Sequence, residues 1–238
     1  MVNPRAWLAE AIATFGLVFF GPLSVILGVV VFGDGALSTE AIILISLGHG
    51  GAIALMVYAF GHVSGAHINP AVTIPMMITK KIGIKDGIGY ILFQIIGAVV
   101  ATASLAVLFP ELGKQVLWGA HGGPSELLNN SLMSGLAVEI ILTFFLVTVI
   151  FMTAVHKKAP KSVYGAAIGG MIFLLHLVGV PLTGASMNPA RSVSPALVSG
   201  DAGLWEVQWL YWVGPIVGGI IAGLIMNYIY VNKAEKEA

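Results

Sequence analysis

Six long apolar stretches, parted by short polar breaks, take up most of the chain. Residues 11–32 hold no charged side chain, enough to cross a bilayer's hydrocarbon core at about 1.5 Å per residue. Similar stretches predict membrane-spanning helices over about 7–32, 38–60, 87–109, 131–155, 162–180 and 207–232. Gly33-Asp34-Gly35 is a turn between the first two. After span two comes Gly61-His-Val-Ser-Gly-Ala-His67, too polar and glycine-rich to continue a span. Asn69-Pro70 then opens a helix of about ten residues, ending near Lys80 and too short to cross. A second short helix is predicted over about 189–198, between spans five and six.

These two interruptions are copies of each other. Ser64-Gly-Ala-His-Ile-Asn-Pro-Ala-Val-Thr73 recurs as Thr183-Gly-Ala-Ser-Met-Asn-Pro-Ala-Arg-Ser192, with Asn69 and Asn188 119 residues apart, half the 238-residue chain. The repeat extends into the spans. Glu10-x-x-x-Thr14-Phe15 matches Glu139-x-x-x-Thr143-Phe144, and Tyr90, Gln94, Gly97 and Ala101 align with Tyr211, Pro215, Gly218 and Ala222. Three crossings per half is an odd number, so the second half lies upside down relative to the first. The fold class expected is an all-α membrane protein: six transmembrane helices and two re-entrant half-helices in an inverted tandem repeat. It forms a single channel domain over 1–238, with repeat one at about 5–109, a linking loop at 110–130 and repeat two at 131–232. The half-helix N-termini then meet near the bilayer midplane.

Composition agrees with a membrane protein: 58% hydrophobic and 9% charged residues, and a mean hydropathy of +0.95. Zero formal net charge leaves no basic face for nucleic acid, and the absence of cysteine excludes disulfides and thiolate chemistry. No cofactor or metal motif and no hydrolase or protease motif lies in the spans, so no enzyme is expected. The length of the first apolar run and its Glu10 fit a first span better than a cleaved signal. In this layout Arg5, Lys80, Lys81, Lys85, Lys157, Lys158, Lys161, Lys233 and Lys236 share one side. Asp34, Glu111, Glu126, Asp201 and Glu206 share the other, with Lys114 the exception. The positive-inside rule makes both termini cytoplasmic, in a multi-pass protein of the cell membrane.

The doubled Asn-Pro-Ala, the Arg after its second copy and the Glu in spans one and four resemble the aquaporin, or major intrinsic protein, family, on its prokaryotic-type water-channel branch. The likeness covers essentially the whole chain. Opposed helix N-termini make a positive zone that repels cations, an effect known for aquaporin-type pores. Asn69, Pro70, Ala71, Asn188, Pro189 and Ala190 are expected at that zone, the asparagines capping their helices and offering amide N–H groups to water. The carbonyls of Gly65, Ala66, His67, Gly184, Ala185 and Ser186 are candidates for a ladder of acceptors, because irregular backbone at this depth must line water or be buried in protein. Glu10 and Glu139 are read as braces that accept N–H bonds from the broken loops, with a proton relay as the alternative.

By register, the resemblance implies an outer constriction of His49, His176, Ala185 and Arg191. His49 stands where water-selective members usually carry an aromatic ring; it either lines the constriction or is a satisfied core group. Ser192, Ala196 and Tyr211-Trp212 occupy positions where glycerol facilitators usually carry Asp, a basic residue and a Pro-aliphatic pair, which leans toward water. His67 is expected to be a strut at the inner mouth. The implied protein is a passive water channel that excludes protons and ions, with small neutral solutes as further candidates and a homotetramer as its assembly. The rivals are a glycerol or small-solute facilitator of the same family and a proton-coupled transporter.

Overall fold

A computed structural model describes residues 3–233; Lys236 of the expected basic side lies outside them. Among the described residues six helices are long and apolar enough to cross a membrane, at Pro4–Val31, Thr39–Ser64, Ile84–Leu108, Leu132–Val155, Tyr164–Thr183 and Gly203–Val231. The α-helical elements are α1 (Pro4–Val25), α2 (Thr39–Ser64), α3 (Pro70–Ile78), α4 (Ile84–Leu108), α5 (Pro110–Lys114), α6 (Leu132–Ile150), α7 (Tyr164–Thr183), α8 (Pro189–Ser199), α9 (Gly203–Gln208) and α10 (Leu210–Met226). π-Helical turns extend α1, α6 and α10 over Ile26–Val31, Phe151–Val155 and Asn227–Val231. Six crossings return the chain to the end where it began, called here the terminal end.

The helix starts follow local chemistry. Asn3, Ser38, Asn69, Ser131 and Asn188 each accept a backbone N–H of the first turn through a side-chain oxygen. Proline is the first helical residue of α1, α3 and α8, where its missing N–H costs nothing. Two expectations are corrected. Span two runs on through residues 61–64, because Ser64 is buried and donates to Glu10 while Gly65, at φ +87°, supplies the left-handed cap. The 110–130 segment is not a plain loop: it holds α5 and two 3-10 turns, Leu117–Gly119 and Glu126–Leu128.

The two halves interlock. α1 packs on α2 and α4, α6 packs on α7 and α10, and α2 lies against α7 across the repeat boundary. The half-helices cross over as well, α3 lying on α10 and α8 on α4. Glycine makes the closest crossings possible. A Cβ on Gly97 would run into the Ala11 carbonyl, and one on Gly218 into the Ile140 carbonyl, at matching places in the repeats. Thr102 Oγ1 on α4 donates to Ser194 Oγ on α8 at 3.0 Å. The outer faces carry exposed apolar side chains, Leu47, Leu55, Leu92, Val100, Ile141 and Leu174 among them, suited to lipid rather than water.

Candidate functional site

The two interruptions meet inside the bundle. Asn69 Oδ1 accepts the Ala71 N–H at 2.8 Å, and Asn188 Oδ1 accepts those of Ala190 at 3.1 Å and Arg191 at 3.3 Å. The amide nitrogens reach across: Asn69 Nδ2 donates to the Met187 carbonyl at 2.7 Å and Asn188 Nδ2 to the Ile68 carbonyl at 3.0 Å. Each side-chain NH₂ thus spends one hydrogen on the opposite half and keeps one. Residues 118 and 120 apart in sequence are joined tip to tip. Pro70, Ala71, Pro189 and Ala190 are buried at this junction.

The segments before the asparagines are strained alike. Gly65, Ala66 and Ile68 have positive φ, as do Gly184, Ala185 and Met187. For a β-branched residue such as Ile68 this is costly and persists only where its surroundings enforce it. The carboxylates supply that enforcement. Glu10 Oε1 accepts from Ser64 Oγ at 2.6 Å and His67 N at 2.9 Å; Oε2 accepts from Ile68 N at 2.6 Å and Gln94 Nε2 at 2.7 Å. Glu139 Oε1 accepts from Thr183 Oγ1 at 2.7 Å and Ser186 N at 2.9 Å, and Oε2 from Met187 N at 2.8 Å. Pro215 stands where Gln94 does in the first repeat, so Glu139 has one donor fewer. Neither carboxylate lines the cavity below.

A cavity of about 340 Å³ runs from Lys81, Ile82 and Tyr164 near the terminal end to His49, His176 and Arg191. Gly65, Ala66, His67, Ser186 and Met187 line it together with both asparagines, and Val57, Val72, Ile150, Ile168 and Ile172 supply apolar wall. One part of the wall thus offers hydrogen-bonding groups and another offers none. The His67 ring bonds Thr73 Oγ1 at 3.1 Å and stands edge-on to Tyr90 near the terminal end. Gly184 and Ala185 are not among the lining residues, and Ala185 is fully buried.

At the far end His49 and His176 stack, ring centroids 4.3 Å apart at 26°. Each donates Nδ1–H to the carbonyl four residues back, Ile45 and Ile172, both at 2.9 Å. That leaves each Nε2 an acceptor. His49 Nε2 accepts from Arg191 Nη2 at 3.3 Å, whereas His176 Nε2 and Arg191 Nε have no protein partner although both residues line the cavity. Arg191 Nη1 donates to the Gly119 carbonyl and approaches His121 Nδ1 at 3.3 Å.

His121 was not foreseen. It lies in the linking segment yet is 2% exposed, and its Nδ1 accepts from Ser192 Oγ at 2.9 Å. Burial first, then the Arg191 charge and His176, holds its imidazole well below the usual histidine range, so it stays neutral. The one signal for it in the sequence is a lone imidazole among glycines, Gly119-Ala-His121-Gly-Gly, in a segment otherwise read as a joint.

Comparison with known proteins agrees with this architecture. The X-ray structure of the aquaglyceroporin from Plasmodium falciparum superposes with a TM-score of 0.83, covering 98% of this chain and 99% of that one at 22% sequence identity, a likeness of fold. Aquaporin-4 of Rattus norvegicus is 42% identical over 196 residues, 81% of this chain but only 58% of that protein's length. Aquaporin TIP2-3 of Arabidopsis thaliana is 37% identical over 97% of this chain and 89% of its own, and Aquaporin-2 of Ovis aries is 38% identical over 97% and 80%. The model of the family described as "Major intrinsic protein" matches residues 1–226. With that span matched, and relatives of this identity over nearly the full length, the chain belongs to the major intrinsic protein family.

Proposed function

We propose that this protein is a passive water channel that excludes protons and ions. The observation that carries the reading is the reciprocal bonding of Asn69 and Asn188 beside a cavity that ends at Arg191, His49 and His176. A water at the asparagines accepts the spare amide N–H from either side. Its own hydrogens must then point away along the passage, which breaks a proton-conducting chain. The opposed α3 and α8 N-termini add a positive field that repels cations, and Arg191 adds a full charge. Glu10 and Glu139 act as braces. They accept backbone donors away from the cavity, which counts against a proton relay.

His49, His176 and Arg191 form the outer constriction, His121 holds Arg191 from behind, and Ala185 is a buried spacer rather than a contact for the solute. The polar constriction admits water first, with small neutral solutes as secondary cargo. Water is carried through chemically unchanged. The lysines gathered at the terminal end support a reading with both termini cytoplasmic, in a channel of the plasma membrane. A homotetramer, one pore per subunit, suits the outward Gly51 on α2 and Gly170 on α7. A Cβ there meets nothing within 4 Å; Gly51 lies one helical turn from exposed Leu47 and Leu55, and Gly170 one turn from exposed Leu174.

Stopped-flow swelling of proteoliposomes tests the reading. Fast water flux is expected, with low activation energy and no response to a proton gradient. Flux that needs a proton gradient would replace the channel with a coupled transporter. Water and solute permeabilities untouched by both His49→Ala and His176→Ala would remove the imidazoles from the constriction.

A further inference from the structure

His49 owes its position to something behind it. Its ring packs flat on the backbone of Gly21 in α1: a Cβ there would lie 2.6 Å from both Cδ2 and Nε2 of the imidazole and 3.0 Å from Cε1. Contacts this short do not occur between real atoms, and the ring has no free direction in which to give. Nδ1 is tied to the Ile45 carbonyl at 2.9 Å, the opposite face is stacked on His176, and Nε2 meets Arg191. Pushed from Gly21, the imidazole can move only toward His176 and Arg191, that is, into the constriction.

The next residue seats a second part of the same wall. The Cα hydrogen side of Gly119, at φ +77°, faces Pro22, where a Cβ would lie 3.1 Å from the proline Cβ. Gly119 supplies the carbonyl that accepts from Arg191 Nη1. The equivalent positions in the second repeat are Ile150, matched to Gly21 in the Glu139 register, and Ile168, matched to His49 in the Asn188 register. Both are aliphatic and both line the cavity. The glycine is therefore not a demand of the repeat fold. Of the two matched positions, it occurs at the one that an imidazole faces.

We infer that Gly21 is a positioning residue that sets the aperture of the channel: its bare Cα is the seat into which the His49 ring withdraws, and Pro22 fixes the backbone that anchors Arg191. This rests on the reading of His49 and Arg191 as the outer constriction. The residue touches no solute and acts through His49.

The experiment compares wild type, Gly21→Ala, His49→Ala and the double variant in proteoliposomes, with flux normalised to folded protein by size-exclusion chromatography. Water permeability and the water-to-urea ratio are read for each. Gly21→Ala is expected to lose water flux severalfold and urea flux more steeply, and His49→Ala to restore both when combined with it. Flux in Gly21→Ala equal to wild type overturns the inference. So does an equal proportional loss in both backgrounds, which marks a general packing defect. If His49→Ala alone changes neither permeability nor ratio, the constriction reading fails and the role of Gly21 fails with it.

Discussion

The two buried carboxylates offer a comparison in which the structure fixes the order of the effects. Glu→Gln keeps the shape of the side chain but replaces one acceptor oxygen by an NH₂ group. In Glu10→Gln an NH₂ at the Oε1 position abandons His67 N and forces Ser64 Oγ to turn from donor to acceptor, and one at the Oε2 position abandons Ile68 N and Gln94 Nε2. Turning the Gln94 amide only moves the orphan, since its Oε1 has no partner and an NH₂ placed there would have none either. In Glu139→Gln the new NH₂ can take the Oε2 position and abandon Met187 N alone. An unpaired buried donor costs roughly 1–3 kcal/mol. Glu139→Gln should therefore cost about 1–3 kcal/mol and Glu10→Gln more, up to about twice that. For a chain of this size each kcal/mol lowers the unfolding midpoint by about 2–4 °C. Thermal unfolding in detergent, followed by tryptophan fluorescence, reads the shifts side by side. If Glu139→Gln drops the midpoint as far as Glu10→Gln, or if neither moves it, the carboxylates do not hold the strained loops and the bracing argument is wrong.

Other outcomes follow from the constriction and its surroundings. Arg191→Val removes the charge that faces the cavity at the far end and should raise urea flux relative to water; an unchanged ratio would mean the guanidinium does not set solute size. Because His121 is held neutral when folded, the unfolded chain takes up a proton that the folded one refuses below about pH 6.5. Folded stability should then fall as pH drops through that range, by up to about 1.4 kcal/mol per pH unit from this residue. His121→Asn should flatten the slope by that amount, and parallel curves for variant and wild type would show that the imidazole titrates alike in both states. The chain has no cysteine, so brief mercurial treatment should leave swelling rates intact. Inhibition by mercurials would reveal another site of attack.

The spans, the short helices and the pairing of Asn69 with Asn188 were readable in the sequence because each rests on a local signal: uncharged length, a capping Asn before Pro, and an internal copy. The end of α2 was misread for want of the partner that decides it. Gly61-His-Val-Ser64 looks like a break in isolation, but Glu10, 54 residues earlier, accepts from Ser64 and draws the last turn into the bundle. His121 was missed for a similar reason. Its segment has no periodicity, and its place is set by Ser192 and Arg191, both in the second repeat. The family motif pointed to Arg191, and register within it to His49 and His176, all three on the cavity wall. It pointed to Ala185 too, which is fully buried behind the wall, whereas its counterpart Ala66, at a similar positive φ, lies on it.

The crossed bonds between the halves bear on how the chain is made. The Met187 carbonyl that Asn69 needs is synthesised 118 residues after it, and α3 rests on α10, in the second repeat. The first three spans can enter the bilayer without completing their half-helix, whose tip stays unpaired until residue 187 has followed. Severed at the linking segment, neither fragment should assemble alone, whereas the two made in the same cell hold every piece the other lacks.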